Sequence, residues 1–493
     1  MSTATTPAGV TPQATAATRA DTTARAAAPA AVALTPRRPA GLAERIALSA
    51  ATGRGAHLST EEFHGWLEGR RRAHTFRVDR VPFDALDGWS FEEGGGNLVH
   101  RSGRFFTVEG LHVVEEAGPY GDGPYRSWYQ PVIKQPEVGI LGILAKEFDG
   151  VLHFLMQAKM EPGNRNLLQL SPTVQATRSN YTKAHRGGDV KYIEYFTTSE
   201  HGTVVADSLQ SEHGAWFFRK SNRNMIVEAT GEVPLLDDFC WLTLGQIGEL
   251  LHRDNVVNMD ARTVLSCVPH QDTADGALLS DVKLLSWFTG ERARHDVRAR
   301  RVPLRGLPGW KRGEETIEHE EGRHFKVVAV SVQAGNREVS SWTQPLFEPV
   351  GLGVAAFLTR DFGGVPHYLV HARVEGGFLD TVELAPTVQY TPGNYAHLPS
   401  EERPLFLDDV LGADPARIRY EAVHSEEGGR FLNAESRYLL VEADEERTPA
   451  EPPPGYAWAT AAQLTSLTRH GHYLNVQART LLACVHAGAV RGR

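Results

Sequence analysis

Cysteine is nearly absent from this chain, since 493 residues contain only Cys240, Cys267 and Cys484. No pair of them has the spacing of zinc ligands, so the sequence argues against a cysteine-based zinc site. An odd and sparse cysteine count is also typical of a reducing compartment. We therefore expect a cytoplasmic protein without structural disulfides.

Motifs for common cofactors are missing as well. The sequence has neither the GxGxxG fingerprint of nicotinamide-binding folds nor the GxxxxGK[ST] loop that holds a triphosphate. It also lacks the GxSxG elbow of serine hydrolases and the HExxH motif of zinc proteases. The 21 histidines do not gather at the spacing of metal ligands. We expect a protein that uses no cofactor and no metal.

Long apolar runs are absent too. No stretch is apolar for long enough to span a membrane, and the start of the chain does not have the pattern of a secretory signal. The net charge of −9 argues against nucleic acid as the main partner. It still allows a small anionic ligand in a local basic pocket.

What the sequence does contain is a repeat of itself. One constant shift carries residues 128–131, Trp-Tyr-Gln-Pro, onto 342–345, and carries 170–175 onto 384–389. A register kept over such a distance indicates a duplicated domain, and the chain length suits two domains. Because the period far exceeds that of solenoid repeats, we expect each copy to hold its own core.

The predicted organisation has a disordered Ala/Thr/Pro-rich tail over 1–40, a first repeat over 41–268, a polar linker over 269–279 and a second repeat over 280–493. Short strands and hairpin turns dominate each repeat, so we predict an α+β fold with a mixed or mainly antiparallel sheet. Helices are expected near the ends of each repeat. Their predicted ranges are 61–72, 243–252, 280–292 and 460–468.

The richest candidate site follows a predicted strand over 151–159. Strand alternation places Gln157, Lys159 and Glu161 on one face, and a turn with Asn164 comes next. Lysine and glutamate so spaced can simply form a solvated ion pair. The polar residues that follow are costly as core and suit hydrogen bonds to a sugar or a base. They are Gln169, Thr173, Gln175, Asn180, Tyr181 and His185.

A second patch combines basic and aromatic residues over 216–225. Trp216 could stack on a nucleobase, while Arg219, Lys220 and Arg223 could hold phosphate by charge. The alternative is a basic hairpin tip at the surface.

The second copy keeps this scaffold but loses part of the chemistry. Lys159 becomes Arg373, which keeps its proton at any working pH, and Trp216 becomes Arg430. The turn 162–164 becomes 376–378 and loses its asparagine. We therefore predict catalysis in the first copy and a binding or structural role for the second.

Residues 157–164, 169–181 and 223–228 resemble the NDP-hexose 2,3-dehydratases, enzymes of deoxysugar and antibiotic biosynthesis in bacteria. The resemblance covers roughly 45–487. It implies a duplicated chain with halves similar to the Nudix fold, a thymidine nucleotide in each half, and a homodimer. The glutamate-rich box of true Nudix hydrolases is missing, so metal-dependent pyrophosphate cleavage is not implied.

The resemblance implies that the substrate is dTDP-4-keto-6-deoxy-D-glucose. A base would remove the C3 proton beside the C4 ketone, and an acid would help the C2 hydroxyl to leave. The 3,4-diketo product would pass to a separate 3-ketoreductase, and neither NAD nor a metal would be needed. The alternatives are a non-catalytic nucleotide-sugar binding protein and a diverged Nudix-type diphosphohydrolase.

Under this resemblance Glu161 is the expected base and Lys159 the expected acid or oxyanion partner, with Tyr181 and His185 as alternatives. The expected substrate-binding residues are Trp66, Trp128, Gln157, Asn164, Gln169, Thr173, Gln175, Asn180, Trp216, Arg219, Lys220, Arg223 and Asn224. The expected nucleotide pocket of the second repeat comprises Trp287, Trp342, Arg373, Thr387, Gln389, Asn394 and Tyr395.

Overall fold

The computed structural model describes residues 41–116, 127–178, 190–269, 276–335 and 340–490. The expected tail over 1–40 and most of the expected linker therefore lie outside the described residues. So do three candidate site residues, namely Asn180, Tyr181 and His185.

Strands dominate the first repeat, as predicted. Its helices are α1 (Leu42–Ala50), α2 (Thr60–Ala73), α3 (Glu194–Thr197), α4 (Leu244–Leu251) and α5 (Met259–Leu265). Its strands are β1 (Phe76–Val81), β2 (Trp89–Phe91), β3 (Leu98–His100), β4 (Thr107–Glu116), β5 (Ser127–Lys134), β6 (Gly139–Phe148), β7 (Val151–Met160), β8 (Leu168–Ser171), β9 (Val174–Ala176), β10 (Gly202–Ser211), β11 (Ser221–Ala229) and β12 (Phe239–Thr243).

The second repeat follows the same order. Its helices are α6 (Asp281–Arg294), α7 (Leu407–Leu411), α8 (Ala461–Thr468) and α9 (Val476–His486). Its strands are β13 (Asp296–Val302), β14 (Trp310–Arg312), β15 (Thr316–His319), β16 (Phe325–Ala334), β17 (Ser341–Pro349), β18 (Gly353–Phe362), β19 (Val365–Val374), β20 (Val382–Pro386), β21 (Val388–Tyr390), β22 (Ile418–Ser425), β23 (Glu435–Glu442) and β24 (Tyr456–Thr460).

Local sequence signals explain where several elements begin. Helix α2 starts with a capping box, in which the Ser59 hydroxyl accepts from the Glu62 backbone and the Glu62 carboxylate accepts from the Ser59 backbone. Thr243 starts α4 in the same way, and Thr460 starts α8. The β6–β7 hairpin turns at Asp149, whose positive φ of 51° fits the tight turn expected there.

Each repeat builds one large mixed sheet. In the first, strands run in the order β10-β11-β6-β7-β12, with β8 on β7 and β9 on β6. In the second, the order is β20-β19-β18-β23-β22, with β21 on β18 and β24 on β19. The β11–β6 and β18–β23 pairs are parallel, while their neighbours are antiparallel. The predicted α+β fold with a mixed sheet is confirmed.

The two small sheets exchange a strand between the repeats. Strand β1 of the first repeat pairs antiparallel with β16 of the second, from Phe76↔Ala334 to Val81↔Ala329. Strand β13 of the second repeat pairs with β4 of the first. Residues 41–493 accordingly form one compact unit.

The main core is also shared by the repeats. One cluster of buried residues contains Leu67 and Phe154 from the first repeat together with Tyr438 and Leu481 from the second. Each copy also has a smaller cluster of its own, around Trp241 in the first repeat and Trp458 in the second. The expectation that each copy holds its own core is therefore met only in part, because the main cluster is shared. The physical reason is that the strands and helices of both copies bury their apolar faces against each other.

Two buried arginines connect the repeats in a reciprocal way. Arg262 of α5 donates to the backbone oxygen of Ser425 at 2.6 Å. Arg479 of α9 donates to the backbone oxygen of Ser211 at 2.5 Å and to Thr263 Oγ1 at 2.7 Å. Both guanidinium groups are thus paired inside the core, as buried charges must be.

A membrane-crossing helix would need a long apolar segment. Among the described residues, no helix has the length and apolar character to cross a membrane.

Candidate active site

A cavity of about 210 Å³ opens at the junction of the two repeats. Its charged and polar lining comes from both of them. The first repeat contributes Gln135, Lys159, Glu161, Gln175, Glu212, Lys220, Asn222 and Asp260, and the second contributes Gln344, Glu427 and Arg430, beside Trp342. A larger cavity of about 990 Å³ shares Lys159, Gln175, Trp342, Gln344 and Arg430 with it.

The turn after β7 connects this cavity to the second repeat. The Gly163 backbone N–H donates to the Gly428 oxygen at 2.7 Å, and the Asn433 N–H donates to the Gly163 oxygen at 2.7 Å. A Cβ on Gly163 would lie only 1.7 Å from the backbone oxygen of Phe431. Only glycine fits this close approach, so the turn holds the loop over 427–433 against the cavity.

Glu161 is held as a hydrogen-bond acceptor. Its carboxylate accepts from Gln175 Nε2 at 2.7 Å, from Asn164 Nδ2 at 3.3 Å and from Asn258 Nδ2 at 3.3 Å. Asn258 is itself fixed, because its side-chain oxygen caps α5 by accepting from the Ala261 backbone. Three amide donors on both oxygens therefore fix the orientation of this carboxyl group.

Two further carboxyl groups lie beside Glu161. The carboxylate oxygens of Glu161, Asp260 and Glu427 lie within 4.8 Å of one another. Burial raises the pKa of Asp260 well above its usual range, and the nearby Glu212 and Glu427 raise it further. Burial also raises the pKa of Glu427 to about 7, with Arg430 opposing the shift and Glu161 and Glu212 adding to it. Carboxyl groups this close cannot all be ionised, so the cluster retains a proton.

Cations line the same cavity. Burial lowers the pKa of Lys220 to about 8, and its ammonium donates to Asn222 Oδ1 at 2.7 Å. Lys159 Nζ lies 3.4 Å from the Gln175 backbone oxygen, to which it donates. Arg430 donates from Nε to Gln135 Oε1 at 3.2 Å. The site therefore combines carboxyl groups that can exchange protons with cations that can stabilise a developing negative charge.

Comparison with known proteins places the chain in a family. The sequence model described as NDP-hexose 2,3-dehydratase matches residues 60–268 and 281–485. The chain belongs to the NDP-hexose 2,3-dehydratase family. The two matched segments also agree with the duplication inferred from the sequence.

Similar proteins in this family carry one common name, dTDP-4-dehydro-6-deoxy-alpha-D-glucopyranose 2,3-dehydratase. The protein of that name from Amycolatopsis orientalis is 67% identical over 465 residues, which cover 94% of this chain and 98% of the relative. The one from Saccharopolyspora spinosa is 52% identical over 469 residues, covering 91% and 95%. The one from Streptomyces violaceoruber is 49% identical over 439 residues, covering 86% and 97%.

Several of the site residues predicted from the sequence line the two cavities. Lys159, Glu161, Gln175 and Lys220 line the smaller one. Gln157 and Thr173 line the larger one. Asn164 reaches the site indirectly, through its hydrogen bond to Glu161.

Other predicted residues lie elsewhere among the described residues. Trp66 packs against the main core, and Trp128 donates to Gln130 on the strand that carries both. Trp216 stacks on His213. The remaining four have local partners away from either cavity lining: Gln169 with Ser425, Arg219 over the ring of Phe218, Arg223 with Asp207, and Asn224 with Thr263.

Trp342 requires a correction, because the sequence assigned it to the pocket of its own repeat. It lines both cavities beside Lys159 of the first repeat instead. Its strand β17 pairs with β16, which also takes β1 from the first repeat. The strand exchange thus carries this indole to the other copy.

In the second repeat, the residues equivalent to Lys159 and Glu161 form an ion pair with each other. Arg373 forms an ion pair with Glu375 at 2.9 Å and lies 4.9 Å from the ring centre of Tyr390. Gln389 donates to the same Glu375 at 2.9 Å, as Gln175 does to Glu161. The basic residue of the second repeat pairs with the carboxylate of Glu375, and in the first repeat three amide groups donate to Glu161.

The other residues predicted for the second pocket have structural contacts. Trp287 packs against the main core, and Thr387 donates to the Leu369 backbone oxygen. Asn394 accepts from the His324 backbone at 3.2 Å, and Tyr395 meets Tyr390 edge to face.

Sequence reasoning missed Asp260 and Glu427. Asp260 lies in a helical segment with several apolar residues, and Glu427 lies in the repeat predicted to have a binding or structural role. Comparison of the copies offered one signal. Glu427 stands where the first repeat has His213, and Arg430 stands where it has Trp216.

Proposed function

We propose that the chain removes water across C2 and C3 of dTDP-4-keto-6-deoxy-D-glucose, giving a 3,4-diketo-2,6-dideoxy sugar nucleotide. The observation that carries the proposal is Glu161, a buried carboxylate held by amide donors at a cavity lined by Lys159 in a member of this family. The names of the relatives support the choice of substrate and reaction.

The proposed chemistry follows from the C4 ketone of the substrate. This ketone acidifies the C3 hydrogen, so Glu161 can take that proton while the negative charge passes to the C4 oxygen. Lys159 stabilises this oxyanion. Loss of the C2 hydroxyl gives an enol, which tautomerises to the diketone. No electrons pass to a carrier, so the reaction itself requires no redox cofactor.

We place the nucleotide in the larger cavity. Its walls include Trp342, Trp89 and Phe105, whose rings offer flat surfaces for a base. Lys191 and Arg430, which also line this cavity, supply charge for the diphosphate. Gln157, Gln175 and Asn164 remain the residues proposed to orient the sugar, directly or through Glu161. Tyr181 and His185 remain alternative proton donors.

The remaining assignments concern the context of the reaction. We propose that 41–268 forms the catalytic repeat and 280–493 a nucleotide-binding or structural repeat, each similar to the Nudix fold. The chain acts as a cytoplasmic homodimer in antibiotic-related deoxysugar synthesis, without nucleic acid or membrane partners. A 3-ketoreductase takes its unstable product.

The test is incubation of the purified protein with the 4-keto sugar nucleotide, with and without a 3-ketoreductase and NADPH. Mass spectrometry should show loss of the C2 oxygen without added metal, and Glu161→Gln should abolish it. An unchanged sugar would indicate a binding protein. Metal-dependent release of thymidine monophosphate would indicate a diphosphohydrolase.

A further inference from the structure

One of the carboxyl groups at the cavity of the first repeat comes from the second repeat. Glu427 lies in the loop after β22 and reaches the cavity of the first repeat. Its Oε1 accepts from the Gly429 backbone at 2.9 Å, which fixes the side chain. Within the described part of the chain, its buried Oε2 has no hydrogen-bond partner.

The surroundings of the three carboxyl groups give them different roles. Glu161 accepts hydrogen bonds from three amide groups, so its oxygens are oriented as acceptors. Asp260 is buried, and burial raises its pKa well above the usual range, so it holds a proton inside the cluster. Glu427 is the least buried of the three, and its pKa is raised to about 7. Its unpartnered Oε2 at the cavity makes Glu427 the carboxyl group that is best placed to give a proton to a substrate.

We propose that Glu427 of the second repeat is the acid that protonates the departing C2 hydroxyl in the site of the first repeat. This inference rests on the proposed dehydratase function. The working site is then a composite of both repeats, and the second repeat supplies a group that touches the substrate.

The proton and electron movements balance over one turnover. Glu161 takes the C3 proton, and the C–H electron pair forms the C3–C4 double bond while the carbonyl pair moves to the C4 oxygen. When the pair on the C4 oxygen forms the carbonyl again, the pair of the C3–C4 double bond moves to form the C2–C3 double bond, and the C2–O bond breaks. The departing oxygen takes the proton of Glu427 and leaves as water. Because the carboxylates of Glu161 and Glu427 are neighbours, the proton taken from C3 can pass to Glu427 and restore the starting state.

The decisive experiment uses Glu427→Gln, which keeps the shape of the side chain but cannot donate an acidic proton. The full-length protein is incubated with the 4-keto sugar nucleotide in deuterium oxide. We expect elimination to slow by about 10²-fold or more, since general acids contribute about 10²–10⁴-fold. The recovered substrate should still exchange its C3 hydrogen for deuterium, because Glu161 remains.

The controls separate this inference from the proposed function. Glu161→Gln should lose both the exchange and the elimination. Glu421→Gln removes an exposed carboxylate on β22 that pairs with Arg437, and it should behave as the wild type.

If the wild type eliminates no water, the proposed function fails. If the wild type eliminates water and Glu427→Gln does so within about threefold of its rate, this inference alone fails. Loss of exchange and elimination together in a folded Glu427→Gln protein would also overturn it.

The pH profile gives a second readout. Elimination by the wild type should fall as the pH rises through about 7, because Glu427 loses its proton there. This fall in the rate of elimination above pH 7 should be absent in Glu427→Gln. The charged groups that line the cavity around Glu427 are Lys159, Glu161, Glu212, Lys220, Asp260 and Arg430.

A bound divalent cation is the rival use of the three carboxyl groups. The cavity also contains Lys159, Lys220 and Arg430, whose positive charges oppose such an ion. Elimination that is lost on chelation and restored by Mg²⁺ or Mn²⁺ would overturn the assignment of Glu427 as the acid. Elimination unaffected by chelation supports it.

Discussion

Replacing Gly163 by alanine should damage both the stability and the catalysis of the protein. The added Cβ would lie 1.7 Å from the Phe431 oxygen, so the loop over 427–433 must retreat by about 1 Å or more. Two backbone hydrogen bonds, Gly163 to Gly428 and Asn433 to Gly163, would be strained or lost. Strain and lost bonds together should lower the free energy of unfolding by about 2–4 kcal/mol.

The catalytic effect of the same substitution follows from the position of Glu427. A displacement of about 1 Å can cost about 10²-fold in rate. Elimination should therefore slow by about that factor under conditions where the variant is fully folded. Urea unfolding measures the first effect, and turnover of the 4-keto sugar nucleotide at saturating substrate measures the second.

The second repeat offers a matched control at Gly377. The Gly377 N–H donates to the Gly214 oxygen at 2.8 Å, and the Arg219 N–H donates to the Gly377 oxygen at 2.7 Å. A Cβ there would lie 1.8 Å from the Phe217 oxygen, so Gly377→Ala should lose a similar amount of stability. Its turnover should fall clearly less than that of Gly163→Ala, because the loop it displaces brings Phe217 to the cavity but none of the three clustered carboxyl groups. Equal loss of turnover in both variants would refute the link between this contact and the catalytic group.

Two other substitutions test the charges of the molecule. Lys159→Met removes the cation proposed to stabilise the C4 oxyanion and should slow elimination by about 10²-fold, while Arg373→Lys should leave turnover nearly unchanged; equal rates for Lys159→Met and the wild type would contradict the role of Lys159. Burial alone would lower the pKa of His213, but two carboxylates raise it to about 9: Glu212, which lies 3.8 Å from Nδ1, and Glu426, which is hydrogen-bonded to Nε2 at 2.8 Å. His213 therefore stabilises the fold fully below its unfolded pKa of about 6.5, and this contribution of about 3 kcal/mol is lost as the pH rises through 9. Unfolding in urea at pH 6 and pH 9 should show a smaller pH effect in His213→Gln, and an unchanged pH effect would refute the ion pair.

Much of the fold was predictable from local patterns. Helix α2 was predicted over 61–72 and is found over Thr60–Ala73, and the strand predicted over 151–159 is found over Val151–Met160. Caps, alternation and turn residues act within a few positions of the chain, so they can be read directly. The repeat also predicted that both copies would share one order of elements.

The strand exchange was not predictable, because it depends on contacts between distant segments. The alternating residues of β1 fit the edge of either small sheet, and nothing in them specifies β16. The sequence placed Trp342 in the pocket of its own repeat, and only contacts between distant segments bring it to the cavities that Lys159 also lines.

The candidate site was likewise predictable only in part. Lys159 and Glu161 were found because they share one strand face. Asp260 and Glu427 come from separate segments, and only the packing of the two repeats brings them to Glu161.

The exchanged strands β1 and β13 carry a consequence for how this site arose. With this pairing, a chain with a single repeat would complete its small sheet by borrowing the strand of a second copy, so the arrangement is that of a swapped dimer within one polypeptide. In such a symmetric ancestor, every substitution would enter both sites at once. Joining the two copies freed each position to change alone. The site that holds Glu427 and the position that holds His213 then became free to specialise, one for proton transfer and the other for stability.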